Sequence, residues 1–319
     1  MDLINRLLSL IPVTGRLDLR CHFGAPWRID RGVAGVREIP YHVLLSGTAV
    51  VEDDTGRPEH IVAGDIILFP TGGGHQIHDG SGKPEKLSNE TRDASLTVLE
   101  NGGGGETTDF LCGRFVLGAV PDRLLRDHLP GRLVVHSAQC LHAAERVGTG
   151  EPNAQNRLTR LLELMNAEAR DPGLGSEIFI NHLSAALFAL TLRFASEGAH
   201  APHGLLALTS RPRLQPAISA MFDKPGENWT LDHFAKLCNV SKATFVRQFR
   251  EVIGLSAIDM LTEVRMTIAG RALLHTTTPI AGIAELVGYQ SVSAFQRIFK
   301  LRIGVTPARW RAAGGNPQS

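Results

Sequence analysis

The sequence predicts an α+β chain of more than one domain: a β-barrel or sandwich, then a helical segment, then an all-α end built on an internal repeat. Three observations predict it. At 319 residues the chain is longer than one typical core, so two domains are the better expectation. Short β-branched runs separated by glycine and proline fill the first half, as in barrels and sandwiches. From about Ala154 the apolar period becomes that of helices, and near the C-terminus one helical pattern occurs twice.

Composition bounds the function classes. Apolar content of 43% and charged content of 20% are those of a soluble globular protein. No uninterrupted apolar run reaches the roughly 18 residues of a bilayer span, and no secretory leader pattern opens the chain, so the expected compartment is the cytoplasm with no membrane partner. The net charge of +1 hides an asymmetry: residues 1–210 carry −6 and residues 211–319 carry +7. A basic C-terminal part points to a polyanion partner. The cysteines at 21, 112, 140 and 238 form no CxxC pair, which excludes a zinc ribbon and argues against a disulfide scaffold.

In chain order, "HVLLSGTAVVED", "DIILFP", "FLCGRFVLGAV" and "RLVVHS" read as strands within residues 15–150. Between about Asp79 and Thr108, the polar stretch containing "NGGGGETT" predicts a mobile surface loop. "NAQNRLTRLLELMNAEARD" carries Leu158, Leu161, Leu162 and Met165 at helical spacing and stops at Pro172 and Gly173. "SEIFINHLSAALFALTLRFASEG" is apolar around most of its circumference and predicts packing on its neighbour and on a second subunit, with Leu187 and Leu190 as the positions that test it. "GAHAPHGLLALTSRPR" reads as a linker.

The repeat carries the function. "LDHFAKLCNVSKATFVRQFREVIGLS" aligns with "IAGIAELVGYQSVSAFQRIFKLRIGVT" after 49 to 50 residues, matching Phe245 with Phe295, Phe249 with Phe299 and Gly254 with Gly304. Each copy is a short helix, a turn and a second helix opened by a serine that can cap free N–H groups. The phenylalanines lie one turn apart on the buried side and leave polar and basic residues outward. This is the helix-turn-helix pattern, whose second helix enters the major groove. Between the copies, Ile258, Leu261, Val264, Ile268 and Leu273 predict a connecting helix, so that one chain addresses two successive groove segments of one double-stranded DNA.

Residues from about Leu214 to Arg311 resemble the DNA-binding domain of AraC/XylS-family transcription regulators, through "AKLCNVS", "FVRQFREVIG", "AELVGY", "FQRIFK" and "GVTPARWR". The resemblance implies base-facing positions at Ala243, Val246 and Arg247 in the first recognition helix and at Val292, Ser293, Gln296 and Arg297 in the second. Lys242, Arg250 and Lys300 are placed for phosphate. Arg247 and Arg297 are the expected hydrogen-bonding readers, because the alanine and valines offer only apolar contact. RNA polymerase is an expected partner, and the apolar helix from Ser176 makes a homodimer the expected assembly.

"GDIILFPTGGGH", residues 64–75, fits the second cupin motif through the histidine, with Asp79 where asparagine is expected. "YHVLLSG" resembles the first motif but keeps only His42. Two of four usual ligands make a poor enzyme site, so a metal-dependent cupin enzyme is the lesser alternative. His42 and His75, with or without Cys21 and Cys112, are the candidate set for a transition metal such as zinc, though no cofactor is required. The whole resembles the reactive-chlorine-responsive subgroup of cupin-bearing AraC-type regulators, which implies redox sensing at Cys21 and Cys112 by a transcription activator. His22 and Arg114 are the neighbours in sequence that could raise thiolate character. A small organic ligand or metal in the barrel is the alternative trigger. The boundaries drawn are 1–150 for a cupin-like β-barrel sensor, 151–198 for a helical dimerisation segment, 199–212 for a linker, and 213–319 for the two helix-turn-helix units.

Overall fold

A computed structural model of the chain describes residues 2–92, 96–136, 154–197, 204–209 and 211–315. Cys140 and part of the linker expected at 199–212 lie outside the described residues. The fold divides into two compact units: Val13–Val116 with Pro130–Ala195, and Met1–Pro12, Leu117–Leu129 and Ser196–Ser319. Both are discontinuous in sequence, which a left-to-right reading does not show.

The first unit is a two-sheet, cupin-like β-barrel. Its strands are β1 (Val13–Gly24), β2 (Arg28–Arg31), β3 (Glu38–Ser46), β4 (Thr48–Asp53), β5 (Glu59–Val62), β6 (Ile66–Leu68), β7 (His75–His78), β8 (Ser88–Arg92), β9 (Thr97–Asn101), β10 (Thr107–Leu117) and β11 (Leu133–Val135). Seven form a sheet in the order β11-β6-β3-β10-β1-β9-β8, and four form another in the order β2-β7-β4-β5. Phe23, Trp27, Val51, Ile67, Phe69 and Phe110 fill the core and exclude water from it.

The polar stretch from Asp79 to Thr108 is not a bare loop. It contributes β8 and β9, and β9 runs parallel to β1 with Leu99 opposite Cys21. Polar composition hid the pair because β8 is exposed on every residue. The glycines serve close approach. A Cβ on Gly103 would overlap the carbonyl oxygen of Gly24, and the Asn101 side chain accepts from Gly24 N–H at 2.8 Å and donates to Gly24 O at 3.0 Å.

Helices Ala154–Arg170 and Ser176–Glu197 complete this unit. The second is long and apolar enough to cross a membrane by length and composition, but it serves here as a core helix. Leu187, Phe188 and Leu192 are fully buried, the Tyr41 hydroxyl meets Ser184 Oγ at 2.9 Å, and Phe115 packs on Phe188 with centroids 4.7 Å apart. Leu187 is therefore buried within its own chain, and the large exposed apolar residues are Leu164, Ile178 and Phe179 on the helices and Leu174 in the turn between them.

The second unit holds both helix-turn-helix copies: Leu231–Leu237 with Lys242–Ile253, and Ile280–Leu286 with Val292–Ile303. Helix Ala257–His275 joins them and is buried around most of its circumference through Met260, Leu261, Val264, Met266, Ala269 and Leu273. Ile258, expected in its buried stripe, is 39% exposed near the helix start. Arg265 on this helix binds the segment ahead of the first copy and the turn of the second. It donates to the carbonyls of Pro225 and Glu227 at 2.7 and 2.8 Å and stands over the Tyr289 ring. Two early pieces of chain also pack in this unit. Helix Leu3–Leu10 buries Leu3 and Leu7 and pairs Arg6 with Asp223, while segment 117–129 buries Leu124 and Leu125 and donates from Arg123 to the Arg302 carbonyl at 3.0 Å.

Candidate functional site

Two assemblies of polar groups stand out. The first lies inside the barrel, in a row across three adjacent strands. Cys21 is on β1, Cys112 on β10 and His42 on β3, and these strands neighbour one another in the order β3-β10-β1. Cys112 pairs directly with His42 in the antiparallel register. His75, at the start of β7, reaches the row from the opposite sheet. All four are at most 3% exposed.

The hydrogen bonds fix the tautomers. His75 Nδ1 lies 3.1 Å from the Gly73 carbonyl oxygen, which only accepts, so Nδ1 carries the proton. In neutral His75, Nε2 must then accept, and His42 Nε2–H donates to it at 2.8 Å. That leaves His42 Nδ1 facing Cys112 Sγ at 3.0 Å, with one proton between them. It can sit as a thiol on an imidazole or as an imidazolium on a thiolate. Phe69 stacks on His75 at 3.6 Å between centroids and walls the chain from its side.

The two thiols stand on neighbouring strands, and their interaction sets them apart. Cys112 is held well below the ordinary thiol range because Cys21 S–H donates to its sulfur, aided by the charge and N–H of His42 against the cost of burial. Cys21 is pushed well above that range by the same bond, in which it is the donor, and by burial. Neither His22 nor Arg114 does what their sequence positions suggest. His22 is bonded to Asp109 at 2.8 Å, and Arg114 to Asp18 and Glu38 at 3.1 and 3.2 Å. His42, 70 residues from Cys112 in sequence, takes that place.

As for a metal, the facing Nε2 atoms of His42 and His75 are engaged with each other. Among the described residues no three His, Cys, Asp or Glu side chains are arranged to hold an ion.

Burial, with a smaller repulsion from His42, lowers His75 from 6.5 to about 3. The fold thus holds the neutral ring, and its contribution to stability is present above pH 6.5 and lost as pH falls toward about 3. The melting temperature is expected to fall more steeply through this window in the wild type than in His75→Asn. Equal slopes would mean that His75 titrates alike in folded and unfolded chains.

The second assembly is the outer face of the recognition helices. Both show the same order of burial from their serine caps onward, with Phe245 and Phe249, and Phe295 and Phe299, as the buried pairs. Ser241 and Ser291 accept from the N–H of Thr244 and Ala294, and Gly254 and Gly304 close the helices at φ 85° and 88°. Lys242, Ala243, Val246, Arg247, Arg250, Val292, Ser293, Gln296, Arg297 and Lys300 are all exposed. The copies differ in one informative respect. Arg247 is paired with Glu251 at 3.2 Å, while the corresponding neighbour of Arg297 is Leu301, which is 72% exposed. Lys242 is likewise paired with Asp232 at 2.8 Å.

Comparison with known proteins finds matches to both halves of the chain. A cupin family model matches residues 2–197, and a helix-turn-helix domain model matches residues 234–313. The chain belongs to the cupin-bearing AraC-type transcription regulators. It is similar to the RCS-specific HTH-type transcriptional activator RclR of Escherichia coli strain K12, 28% identical over 98% of this chain and 97% of that one. It is also similar to the HTH-type transcriptional regulator MtrA of Neisseria gonorrhoeae, 26% identical over 99% of each chain. An AraC-type DNA-binding domain structure from Chromobacterium violaceum aligns at 26% identity with a TM-score of 0.33, covering 34% of this chain and 98% of that one. Relatives named as regulators make this family member a transcription regulator and not an enzyme.

Sequence reasoning missed the carbonyl of Gly73, which orients His75. Its signal was present in the spacing "GGGH", residues 72–75, because a glycine turn folds that carbonyl back onto the ring. The exposed face at Phe179 was missed because the helix is apolar all round, and its pattern does not choose a side.

Proposed function

We propose that this AraC-type regulator is an oxidant-responsive, cytoplasmic activator. It acts as a homodimer on double-stranded DNA, recruits RNA polymerase, and has the Cys21–Cys112 pair as its trigger. One observation carries the reading: two buried thiols on adjacent strands, with His42 Nδ1 3.0 Å from the Cys112 sulfur. Such a pair is poised to form a disulfide, since oxidation of the thiolate leaves a partner thiol already in place. The barrel core favours this trigger over a small organic ligand, because Phe23, Trp27, Phe69 and Phe110 occupy its interior. The name of the E. coli relative as an activator supports the sign of regulation. Exposed Arg247 and Arg297 are the base readers, with Lys242, Arg250 and Lys300 on phosphate.

Footprinting on the DNA flanking its own gene, reduced and after hypochlorite, tests the reading. The wild type is expected to change its protection on oxidation, while Cys21→Ala and Cys112→Ala give one pattern in both states. Absence of protection in either state would sink DNA regulation. A wild type that responds together with both variants would sink the thiol trigger.

A further inference from the structure

We infer that residues 117–129 form a yoke that fixes the two recognition helices relative to each other, with Arg123 the positioning residue for the second and Gly204 for the first. This role needs DNA reading by both helices, as proposed above, but not the oxidant trigger.

A helix ends with its last carbonyls unpaired, and what takes them decides how firmly the trailing turn is held. The repeat matches Val252 of the first copy with Arg302 of the second, each three residues beyond a buried phenylalanine, Phe249 or Phe299. Both carbonyls are taken, and both partners trace to one stretch of chain. Arg123 Nη1 donates to the Arg302 carbonyl at 3.0 Å. A guanidinium there also meets the negative end of the helix dipole. Gly204 N–H donates to the Val252 carbonyl at 3.0 Å, and the next N–H, of Leu205, donates to the His128 carbonyl at 3.3 Å. Gly204 sits at φ 108°, and a Cβ on it would overlap the His128 carbonyl oxygen, so the place suits glycine.

The yoke is itself anchored. Leu124, Leu125 and Leu129 are buried, and Arg123 Nε donates to Asp127 at 2.9 Å. Pro121 lies on Gly270 of helix Ala257–His275, where any side chain would overlap its ring. That contact accounts for a glycine in the interior of a long helix, a residue that weakens helices. Glu263, on the same helix, is buried near two guanidiniums. Burial raises its carboxyl, while Arg123 and then Arg302, whose Nη1 stands at 3.0 Å, oppose the rise. Arg302 also reaches Asp259 at 2.7 Å, so the second recognition helix is held through both backbone and side chain. Because β10 ends at Leu117, the strand that bears Cys112 leads straight into the element that holds both readers.

Amide hydrogen exchange of the full-length protein, followed by mass spectrometry, and footprinting on the DNA flanking its own gene provide the test. Arg123→Ala is expected to speed exchange in residues 300–304 about tenfold, the low end for losing a charge-assisted hydrogen bond, and to leave residues 250–254 unchanged. About tenfold more of this variant is expected to be needed to protect the groove segment that Arg297→Ala also exposes, with the other segment protected as in the wild type. Gly204→Ala is expected to give the mirror result, at residues 250–254 and on the other segment. Arg123→Lys, whose ammonium can still donate to the carbonyl, is expected to recover most of both losses. Equal loosening of both helix ends in each variant, or none, would overturn the inference, as would faster exchange with an unchanged footprint. A wild type that protects no DNA would sink DNA reading instead, and exchange alone would then decide the yoke. If Gly204→Ala does not fold, Arg123→Ala and Arg123→Lys still decide whether the second helix is positioned from residues 117–129.

Discussion

Phe179→Asp is expected to turn a dimer into a monomer and to weaken binding to a two-half-site operator by about 10²–10⁴-fold, the advantage that linked binding sites supply. Leu164 on the first helix, Leu174 in the turn after it, and Ile178 and Phe179 at the start of the second are 44%, 109%, 68% and 43% exposed, large apolar side chains of the kind an interface covers. At 43% exposure Phe179 can accept a carboxylate in the isolated chain, whereas at an interface that charge is buried unpaired at a cost of about 3–5 kcal/mol. Leu187→Asp is the contrast. It is expected to unfold the barrel unit, since Leu187 is 0% exposed in its own chain. Sedimentation at micromolar concentration separates the two, and a wild type already monomeric there would end the proposal.

What the sequence discloses depends on whether the signal is local. The repeat is legible because Phe295 and Phe299 answer to helical period, and a helix brings residues four apart onto one side without help from the rest of the fold. The serine caps and glycine stops are local in the same sense. The turn is too: Asn239 and Gly288 both adopt positive φ, 53° and 83°, and a side chain at Gly288 would crowd the carbonyl of Gly226.

The barrel site is only half legible. His75 sits in a contiguous motif, and Cys21 and Cys112 stand out as cysteines. That His42 rather than His22 partners Cys112 follows from the register of β3 on β10, and register is set by pairing across long stretches of chain. The β8–β9 insertion was hidden for the same reason. β9 declares itself through its parallel pairing with β1, and the polar β8 through its pairing with β9, not through composition.

At the DNA face, Arg297→Ala is expected to cost about 1–3 kcal/mol on the specific site and to relax preference at one base pair. Arg247→Ala is expected to show the smaller loss of the two. Arg247 must first leave Glu251, although that exposed pair is itself worth little. Arg297 has no ion pair or hydrogen bond among the described residues, so its guanidinium is free to fork onto a guanine. Lys300→Ala is expected to behave differently: affinity falls alike on specific and random duplexes, and the slope of log K against log salt flattens by about one, as for a single phosphate contact. Titration by fluorescence anisotropy on both duplexes at several salt concentrations distinguishes these outcomes. If Arg297→Ala and Lys300→Ala lost the same factor on both duplexes, then Arg297 would be reading the backbone and the base-facing side of the second recognition helix would have to be redrawn.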